Sequence, residues 1–305
     1  MIPRVNVLLS TYNGERYVAE QIQSLLSQVD VHVQLHIRDD GSKDGTLAIL
    51  RGFESNHENI NVVAGNNLGY VASFFELLSG ADSACGYFSF CDQDDVWLPR
   101  KLITAIGQIA PKDAAVPVMY FSRTEYVNEQ LQHLGYSADL DRLRIGYENA
   151  LVQNVATGCT IVLNRVARER VVAKLPTFCL VHDWWVYLVV SAFGDVIYDS
   201  QAYIKYRQHA GNAIGAADTV VGVYTRRIKR FLAANRSSAA SLQLAEFYRL
   251  YGAELDAQRR HKLAQLASAD KSLLLRLKLI FTGGYHRNSR VDDFLLRVIL
   301  LIGRF

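Results

Sequence analysis

The chain has little of what would place it outside the cell or in a membrane. Among 305 residues there are only four cysteines, Cys85, Cys91, Cys159 and Cys179. Their spacing fits neither a metal site nor a disulfide scaffold, so we expect free thiols in a reducing compartment. No apolar run approaches the roughly 20 residues of a membrane span, and the N-terminus lacks a signal-peptide pattern. We therefore expect neither a signal peptide nor a transmembrane helix.

The second part of the chain has few acidic residues. The net charge is +3, but residues 1–218 carry −7 and residues 219–305 carry +10. A basic block attracts an anionic membrane surface or nucleic acid, or is simply solvated. The arginines of this block lie among Leu-rich helical patterns without a nucleic-acid-binding motif, so we expect no nucleic-acid partner.

The order of hydrophobic patterns predicts the fold class. Short β-rich runs alternate with helical patterns, which is typical of a Rossmann-like, mostly parallel sheet flanked by helices. The predicted strands of the first half are Val5–Leu9, Val31–Ile37, Asn61–Ala64 and Tyr87–Cys91. The predicted helices between and beside them are Glu15–Ser27, Thr46–Phe53 and Tyr70–Leu78.

The pattern is less regular after Ala110. Strands are predicted at Val118–Phe121, Gly158–Leu163, Val196–Tyr198 and Ala202–Tyr206, with a helix at Val181–Ala192. The polar stretch before Gly158 is a place where an acceptor site could be built. From Val220 the chain reads as helical. We expect an α/β catalytic domain over residues 1–218 and a basic α-helical region over residues 219–305.

Acidic residues follow the predicted strand at Tyr87–Cys91. The segment FCDQDDVW contains Asp92, Asp94 and Asp95. Carboxylates at a strand end of an open α/β sheet lie where such folds bind ligands, and hard oxygen atoms suit Mg²⁺ or Mn²⁺. The alternative is an acidic turn that caps the following helix.

Two further strand ends carry polar segments. In RDDGSKDGT, Asp40 could accept a hydrogen bond from the N–H of a pyrimidine, whereas Ser42 or Asp44 could instead cap the next helix. The segment STYNG follows the first strand in the same way. Three polar strand ends at one sheet edge predict a binding site.

Two downstream segments add candidate catalytic groups. HDWW opens a helix, which places Asp183 where it could deprotonate an acceptor hydroxyl or serve as an ordinary cap. Trp184 and Trp185 could form a sugar-stacking wall. YRQHAGN supplies a cation, an imidazole and an amide, a mixture suited to a diphosphate and a metal ion.

Taken in order, these motifs resemble family 2 glycosyltransferases of the GT-A fold, from about Val5 to Asn212. The matching motifs are STYNGERYVAEQI, RDDGSKDGT, N-x-G at Asn67–Gly69, SFF at Ser73–Phe75, DQDDVW, TGCT, HDWW and YRQHAGN. DQDDVWLPRK with HDWW and YRQHAGN is similar to bacterial rhamnosyltransferases, which build cell-wall rhamnan and O-antigen polysaccharides from dTDP-L-rhamnose.

The resemblance implies a role for each matching position. The nucleotide would be held by Thr11, Tyr12, Asn13, Glu15, Asp40, Asn67, Gly69 and Asp92. Asp94 would be the direct ligand of Mg²⁺ or Mn²⁺, and His209 would join it. Arg207 and Trp97 would meet the diphosphate and the donor sugar.

The resemblance also makes Asp183 the catalytic base, with Trp184 and Trp185 beside the acceptor. The sequence departs from the family pattern twice. Many relatives carry Glu where this chain has His182, and the motif Q-x-x-R-W is replaced by the region of Arg207 and His209.

We therefore expect an inverting, metal-dependent enzyme that moves L-rhamnose from dTDP-L-rhamnose to a hydroxyl of a growing, lipid-linked polysaccharide. One alternative is a UDP-hexose donor, and another is a non-catalytic nucleotide-binding module that docks on membranes. A nucleotidyltransferase would need a basic triphosphate loop, and STYNGERY offers only Arg16.

The basic C-terminal region predicts where the protein works. Leu273, Leu274, Leu277, Ile280 and Phe281 recur at helical spacing, and the last twelve residues are mostly apolar. Such segments are too short to span a bilayer but can lie in its interface, which predicts a peripheral protein at the cytoplasmic face of an anionic membrane. The same residues could instead pack on the catalytic domain or form a homodimer.

Overall fold

The computed structural model describes residues 2–140, 145–209, 239–269 and 272–303. The chain divides into two compact units. Unit 1 comprises Met1–Asp141, Ala156–Leu175 and Val181–Arg207, and unit 2 comprises Arg142–Val155, Pro176–Leu180 and Gln208–Phe305. The division falls after Arg207 rather than after residue 218, and two short segments from the middle of the chain join unit 2. The expected start of the helical region, at Val220, lies outside the described residues.

Unit 1 is built on a mixed sheet whose first four strands are parallel. These strands are β1 (Arg4–Thr11), β2 (His32–Asp39), β3 (Ile60–Ala64) and β4 (Tyr87–Cys91). They run in the order β3-β2-β1-β4, and the helices α1 (Val18–Leu26), α2 (Thr46–Asn56) and α3 (Tyr70–Gly80) connect them. This half confirms the alternation predicted from the sequence.

The second half of the sheet is more irregular than predicted. Its elements are β5 (Val96–Trp97), α4 (Lys101–Ile109), β6 (Val118–Val127), β7 (His133–Tyr136), β8 (Val162–Asn164), α6 (Arg165–Val172), α7 (His182–Phe193) and β9 (Asp195–Arg207). The sheet continues from β4 in the order β8-β6-β9-β5, with β7 paired to β6. Strand β8 is antiparallel to β4 and β6, whereas β9 is parallel to β6.

Alternation along the strands accounts for the two-sided core of unit 1. On β1, Val5, Val7 and Leu9 face a cluster that includes residues of α1 and α4. Leu8 lies between these positions and is also fully buried. Strands covered on both faces read as continuous apolar runs, as they do in this sequence.

The described part of unit 2 is helical, as predicted. It contains a short helix α5 (Tyr147–Ala150) and the helices α8 (Ala239–Tyr251), α9 (Ala257–Ala267), α10 (Leu273–Thr282) and α11 (Arg290–Leu301). Three of these helices begin at a side-chain cap: Asp256, Ser272 and Ser289 each accept a bond from a backbone N–H. Among the described helices, none has both the length and the apolarity to cross a membrane.

Candidate active site

The carboxyl ends of several strands meet at one edge of the sheet. Thr11 at the end of β1 pairs with Asp39 at the end of β2. Leu9 pairs with Cys91, the last residue of β4. The loops that follow these strands therefore emerge side by side, as the three polar segments of the sequence predicted.

Gln93 joins the loop after β4 to the loop after β1. Its Oε1 accepts from the backbone N–H of Tyr12 at 2.9 Å, and its Nε2 donates to the Tyr12 carbonyl at 3.1 Å. Gly14 is needed for this close approach, because a Cβ there would lie 2.3 Å from the same Oε1. The amide pair fixes the position of the acidic loop relative to β1.

The loop after β1 is also bonded to the loop after β2. Asn13 has a positive φ of 48°. Its N–H donates to Ser42 Oγ at 2.9 Å, and its Oδ1 accepts from the Lys43 N–H at 2.8 Å. Glu15 accepts the Gly45 N–H at 2.5 Å. Tyr12, Asn13 and Glu15 are exposed at this edge, so they remain available to a nucleotide.

Asp40 has a different environment from the one predicted. The side chain is almost completely buried and forms an ion pair with Arg38. Its oxygens accept the N–H groups of Leu68 at 2.8 Å and Gly69 at 2.9 Å. Its carboxylate thus organises the loop before α3 rather than presenting itself to a pyrimidine. Thr11 is likewise buried, and its hydroxyl donates to Asp39 at 3.1 Å.

The loop that Asp40 supports carries two of the predicted nucleotide residues. Asn67 and Gly69 are exposed, and Gly69 has a φ of 80°, in the region that favours glycine. Asn67 Oδ1 accepts the Gly69 N–H at 3.2 Å. Their assignment to the nucleotide stays a prediction.

Acidic side chains cluster after β4. Ligand atoms of Asp92, Asp95 and Cys159 lie within 4.8 Å of one another. Burial, followed by the charges of Asp94 and Asp183, raises the pKa of the Asp92 carboxyl. Burial, followed by the charges of Asp94 and Asp92, raises the pKa of Asp95 well above its usual range. The carboxyl groups of Asp92, Asp94, Asp95 and Asp183 are therefore close enough to interact, in a region that is at least partly buried.

This cluster fits a divalent cation. Asp95 accepts the Arg207 N–H at 3.1 Å through Oδ1, whereas its buried Oδ2 has no strong donor among the described residues, and the neighbouring Cys159 thiol is a weak donor to the carboxylate. A buried carboxylate oxygen without a strong donor is costly, and a cation beside it would remove that cost. Burial raises the pKa of the Cys159 thiol well above its ordinary value, which favours the S–H form in the metal-free protein. The remaining oxygen donors suit Mg²⁺ or Mn²⁺.

Of the acidic residues that the sequence analysis connected with a metal ion, Asp92 and Asp95 belong to the close cluster. Among the described residues, neither Asp94 nor His209 belongs to the close cluster. Asp94 is half-buried and lies near enough for its charge to act on both Asp92 and Asp95. His209 falls in unit 2. The assignment of Asp94 and His209 as metal ligands stays a prediction.

Arg207 supports the acidic loop from within the protein. Its Nε donates to the Asp94 carbonyl at 2.8 Å, and its terminal nitrogens donate to the Glu129 carbonyl and the Glu20 carboxylate. The side chain is 2% exposed. The predicted contact with a diphosphate is therefore wrong for this structure, because the guanidinium is buried and bonded to three protein acceptors. Arg207 is a positioning residue.

Trp97 is also a core residue rather than a donor-sugar contact. Its ring is buried in the main apolar cluster of unit 1, and the Lys101 ammonium lies 3.4 Å from the ring centroid. Lys101 Nζ donates to Ser89 Oγ at 3.0 Å. Burial lowers the pKa of Lys101 to about 7. The assignment of Trp97 to the sugar is wrong because its indole has no exposed face.

Asp183, the second residue of α7, lies beside the acidic cluster. Its Oδ2 accepts the Gly158 N–H at 3.1 Å, and its Oδ1 accepts the Trp184 N–H at 2.7 Å. The carboxylate is half-buried, and its charge contributes to the raised pKa of Asp92. Val181, not Asp183, is the N-cap of α7, and its side chain makes no capping bond, so the alternative of an ordinary cap is wrong. The role of Asp183 as a base stays a prediction.

The two tryptophans that follow have different environments. Trp184 is half-buried, and its place beside an acceptor stays a prediction. Trp185 is fully buried. Because no face of its ring reaches solvent, Trp185 cannot stack on a sugar, and its assignment to an acceptor wall is wrong.

His182 packs among aromatic rings next to Asp183. Its ring stacks on Phe74 with centroids 4.1 Å apart and meets the edge of Phe90 at 4.9 Å. Both ring nitrogens lack a hydrogen-bond partner among the described residues. Burial lowers the pKa of His182 to about 3. The ring is neutral at physiological pH, and its low pKa makes it a weak proton acceptor.

We expect His182→Phe to keep transfer activity within a few-fold of wild type. In the folded protein the imidazole resists protonation, whereas the unfolded chain binds a proton near the ordinary value of 6.5. Wild-type stability should therefore fall by up to about 1.4 kcal/mol per pH unit below that value, and the variant should lack this loss. Urea unfolding across a pH series measures the difference. A folded variant with a hundredfold loss of transfer would mean that an imidazole nitrogen takes part.

The fold and the site define a class of protein. A 3-2-1-4 parallel half-sheet with carboxylates after β4 and a further carboxylate at the start of α7 has the layout of a GT-A glycosyltransferase. The Glycosyl transferase family 2 model matches residues 6–171, more than half of the chain. The chain belongs to this family and is a glycosyltransferase.

Relatives with curated names agree with this class. Over 233 residues the chain is 28% identical to dTDP-rhamnosyl transferase RfbG of Shigella flexneri, covering 72% of this chain and 77% of that protein. The family match ends at residue 171, before Asp183, so the role of Asp183 stays a prediction.

Solved structures share the fold at low sequence identity. TarS of Staphylococcus aureus (residues 1–349), in complex with UDP-GlcNAc, is 15% identical with a TM-score of 0.59, over 98% of this chain and 90% of that chain. Mannosyltransferase PcManGT of Pyrobaculum calidifontis, in complex with GDP-Man and Mn²⁺, is 15% identical with a TM-score of 0.56, over 100% of this chain and 81% of that chain. At this identity the likeness shows the fold alone.

Proposed function

We propose that the protein is an inverting glycosyltransferase that uses dTDP-L-rhamnose and extends a bacterial cell-wall or O-antigen polysaccharide. Two observations support the donor: the similarity of the DQDDVWLPRK, HDWW and YRQHAGN motifs to rhamnosyltransferases, and the 28% identity to a protein named as a dTDP-rhamnosyl transferase. A UDP-hexose donor is the alternative, because TarS is solved with UDP-GlcNAc on the same fold.

One observation carries the proposed mechanism. Asp183 is a half-buried carboxylate at the edge of the acidic cluster, and its charge is felt by Asp92. In this role Asp183 takes the proton from the acceptor hydroxyl while that oxygen attacks the anomeric carbon. The bond to the leaving nucleoside diphosphate breaks on the opposite side, so a single displacement inverts the configuration. The N–H groups of Gly158 and Trp184 hold the carboxylate in place.

The acidic cluster would hold Mg²⁺ or Mn²⁺. Asp94 and Asp95 are the proposed ligands, with Asp92 nearer to the ribose, and the bound ion would neutralise charge on the departing diphosphate. The chain's own part is to keep these carboxylates in position. Gln93 bonds the loop to Tyr12, and Arg207 bonds it to Glu20 and Glu129.

Exposed residues of the β1 and β2 loops would bind the nucleotide. Tyr12 offers a ring that is 43% exposed, and Asn13 and Glu15 offer polar groups beside it. A lipid-linked acceptor would bring the enzyme to the cytoplasmic face of a membrane. A non-catalytic module would use the same nucleotide site, but it would have no function for the Asp183 carboxylate.

Incubation of the purified protein with a panel of nucleotide sugars and Mn²⁺ tests this function. We expect dTDP-L-rhamnose to give the fastest release of nucleoside diphosphate, with UDP-glucose, UDP-GlcNAc and GDP-mannose at least about tenfold slower, since a wrong sugar or base loses contacts worth 1–3 kcal/mol. Preference for a UDP-hexose would overturn the donor. No release from any donor, together with measurable dTDP binding, would favour the non-catalytic module.

A further inference from the structure

Two C-terminal helices of unit 2 pack against each other and leave one face without a partner in the described part of the chain. Arg276 donates to the Leu301 carbonyl at 2.9 Å, and Arg297 donates to the Ile280 carbonyl at 3.3 Å. The sides that face inward bury Leu279, Leu296 and Leu300. We call residues 272–303, which form α10, α11 and their connection, the C-terminal hairpin.

The outer side of the C-terminal hairpin is apolar and exposed. The three side chains that protrude most are Leu274 at 80% exposure, Phe281 at 79% and Phe294 at 65%. Leu273, Leu277, Val291, Leu301 and Ile302 are exposed as well. Single exposed apolar residues are ordinary, but seven on two adjacent helices, with Ile302 directly after the second, mark a surface that binds something.

Charge at this surface is mainly positive. Lys278, Arg290 and Arg297 are exposed on the same two helices. The two acidic side chains of the hairpin are bonded within it. Asp292 is buried and bonded to Ser289 at 2.7 Å. Asp293 accepts the Arg287 N–H at 3.0 Å and lies 3.5 Å from Arg297. The apolar face is therefore bordered by cations with little exposed negative charge.

This combination favours one occupant. We propose that the C-terminal hairpin docks on an anionic lipid bilayer, with the eight exposed apolar side chains in the interface and the exposed cations at the headgroups. A second copy of the chain fits less well, because a two-fold interface would bring two basic hairpins together. Neither helix, at 10 and 12 residues, is long enough to span a bilayer, but both suit the interface. The proposal does not depend on the identity of the donor sugar.

Co-sedimentation with vesicles tests the proposal. We expect the full chain to bind vesicles of phosphatidylglycerol and phosphatidylcholine, to bind pure phosphatidylcholine at least about tenfold more weakly, and to be released by salt, because each cation near an anionic surface contributes on the order of 1 kcal/mol. Leu274→Ser with Phe281→Ser should weaken binding by about tenfold or more. Lys278→Glu with Arg297→Glu should remove the preference for anionic lipid.

Matched controls lie elsewhere in unit 2. Leu242 on α8 is 50% exposed, and Arg260 on α9 is exposed, so Leu242→Ser and Arg260→Glu change the same chemistry away from the hairpin and should bind like wild type. Circular dichroism and nucleotide-sugar turnover check that each variant is folded. Equal vesicle binding by wild type and both hairpin variants would overturn the proposal. The proposal would also be overturned if the wild type formed a dimer and did not bind vesicles, and if Leu274→Ser with Phe281→Ser dissociated that dimer.

Discussion

Asp183→Asn should lower sugar transfer by about 10² or more while leaving donor binding within a few-fold of wild type. The amide keeps the shape of the side chain, and its single oxygen can still accept one of the two bonds, from Gly158 or from Trp184, but it cannot take a proton from an acceptor hydroxyl. Steady-state rates and calorimetric titration with the donor separate the two effects.

Asp113→Asn is the matched control for this variant. Asp113 is exposed, and its carboxylate accepts only a local bond, from the Ala115 N–H at 2.9 Å, among the contacts the structure describes. Its turnover should equal wild type. If Asp183→Asn transfers sugar at the wild-type rate, another group is the base, and the adjacent His182 would have to be reconsidered against its buried, unpartnered ring.

Loss of the cation should have an effect of similar size. Excess chelator, Asp94→Asn and Asp95→Asn should each reduce turnover by about 10² or more, because charge on the leaving diphosphate loses its counter-charge. Binding gives an independent measurement. Mn²⁺ at about 100 times its dissociation constant should stabilise the folded wild type by about 2.7 kcal/mol, and Asp95→Asn should lose most of this gain.

The same titration on Asp113→Asn should reproduce the wild-type stabilisation. Replacing the buried Asp95 carboxylate by an amide removes its charge repulsion with Asp92 and Asp94. The metal-free Asp95→Asn protein should therefore be at least as stable as metal-free wild type. Full activity in excess chelator, or equal stabilisation of Asp95→Asn by Mn²⁺, would contradict the metal site.

The parallel half of the sheet could be predicted from the sequence because the local hydrophobic pattern and the tertiary structure agree there. Each buried strand is a short apolar run, and each helix follows after a polar turn. The strands of the irregular half could not be predicted correctly. Strand β6 extends to Val127, Gly158–Thr160 forms a 3₁₀ turn where a strand was predicted, and β9 is one strand rather than two. These differences depend on pairing with distant strands, which local pattern does not contain.

The candidate site was predicted where motif and strand end coincide. The sequence located Asp92, Asp94, Asp183 and the loops after β1 and β2, but it misassigned side chains whose burial depends on packing. Trp97 and Trp185 could not be distinguished from exposed sugar-stacking rings by residue type. The guanidinium of Arg207 has the right chemistry for a phosphate, but it donates its hydrogen bonds to Glu20 and to two backbone carbonyls instead.

Several supporting residues were missed altogether. Gln93 lies inside the acidic motif, and the sequence analysis assigned roles only to the carboxylates around it. Its position between Asp92 and Asp94 could have indicated a residue that holds the acidic loop in place. Cys159 gave no signal, because a lone cysteine in TGCT reads as a buried thiol. Its contact with the acidic cluster arises from the turn before β8, which only the folded chain brings there.

The configuration of the released sugar tests the central claim most directly. With no acceptor present, water can take the acceptor's place, and time-resolved proton NMR identifies the first anomer formed from the donor before mutarotation. A single displacement assisted by Asp183 predicts the anomer opposite to that of the donor, with release slowed in Asp183→Asn and unchanged in Asp113→Asn. Initial formation of the anomer with the donor's own configuration would contradict the account.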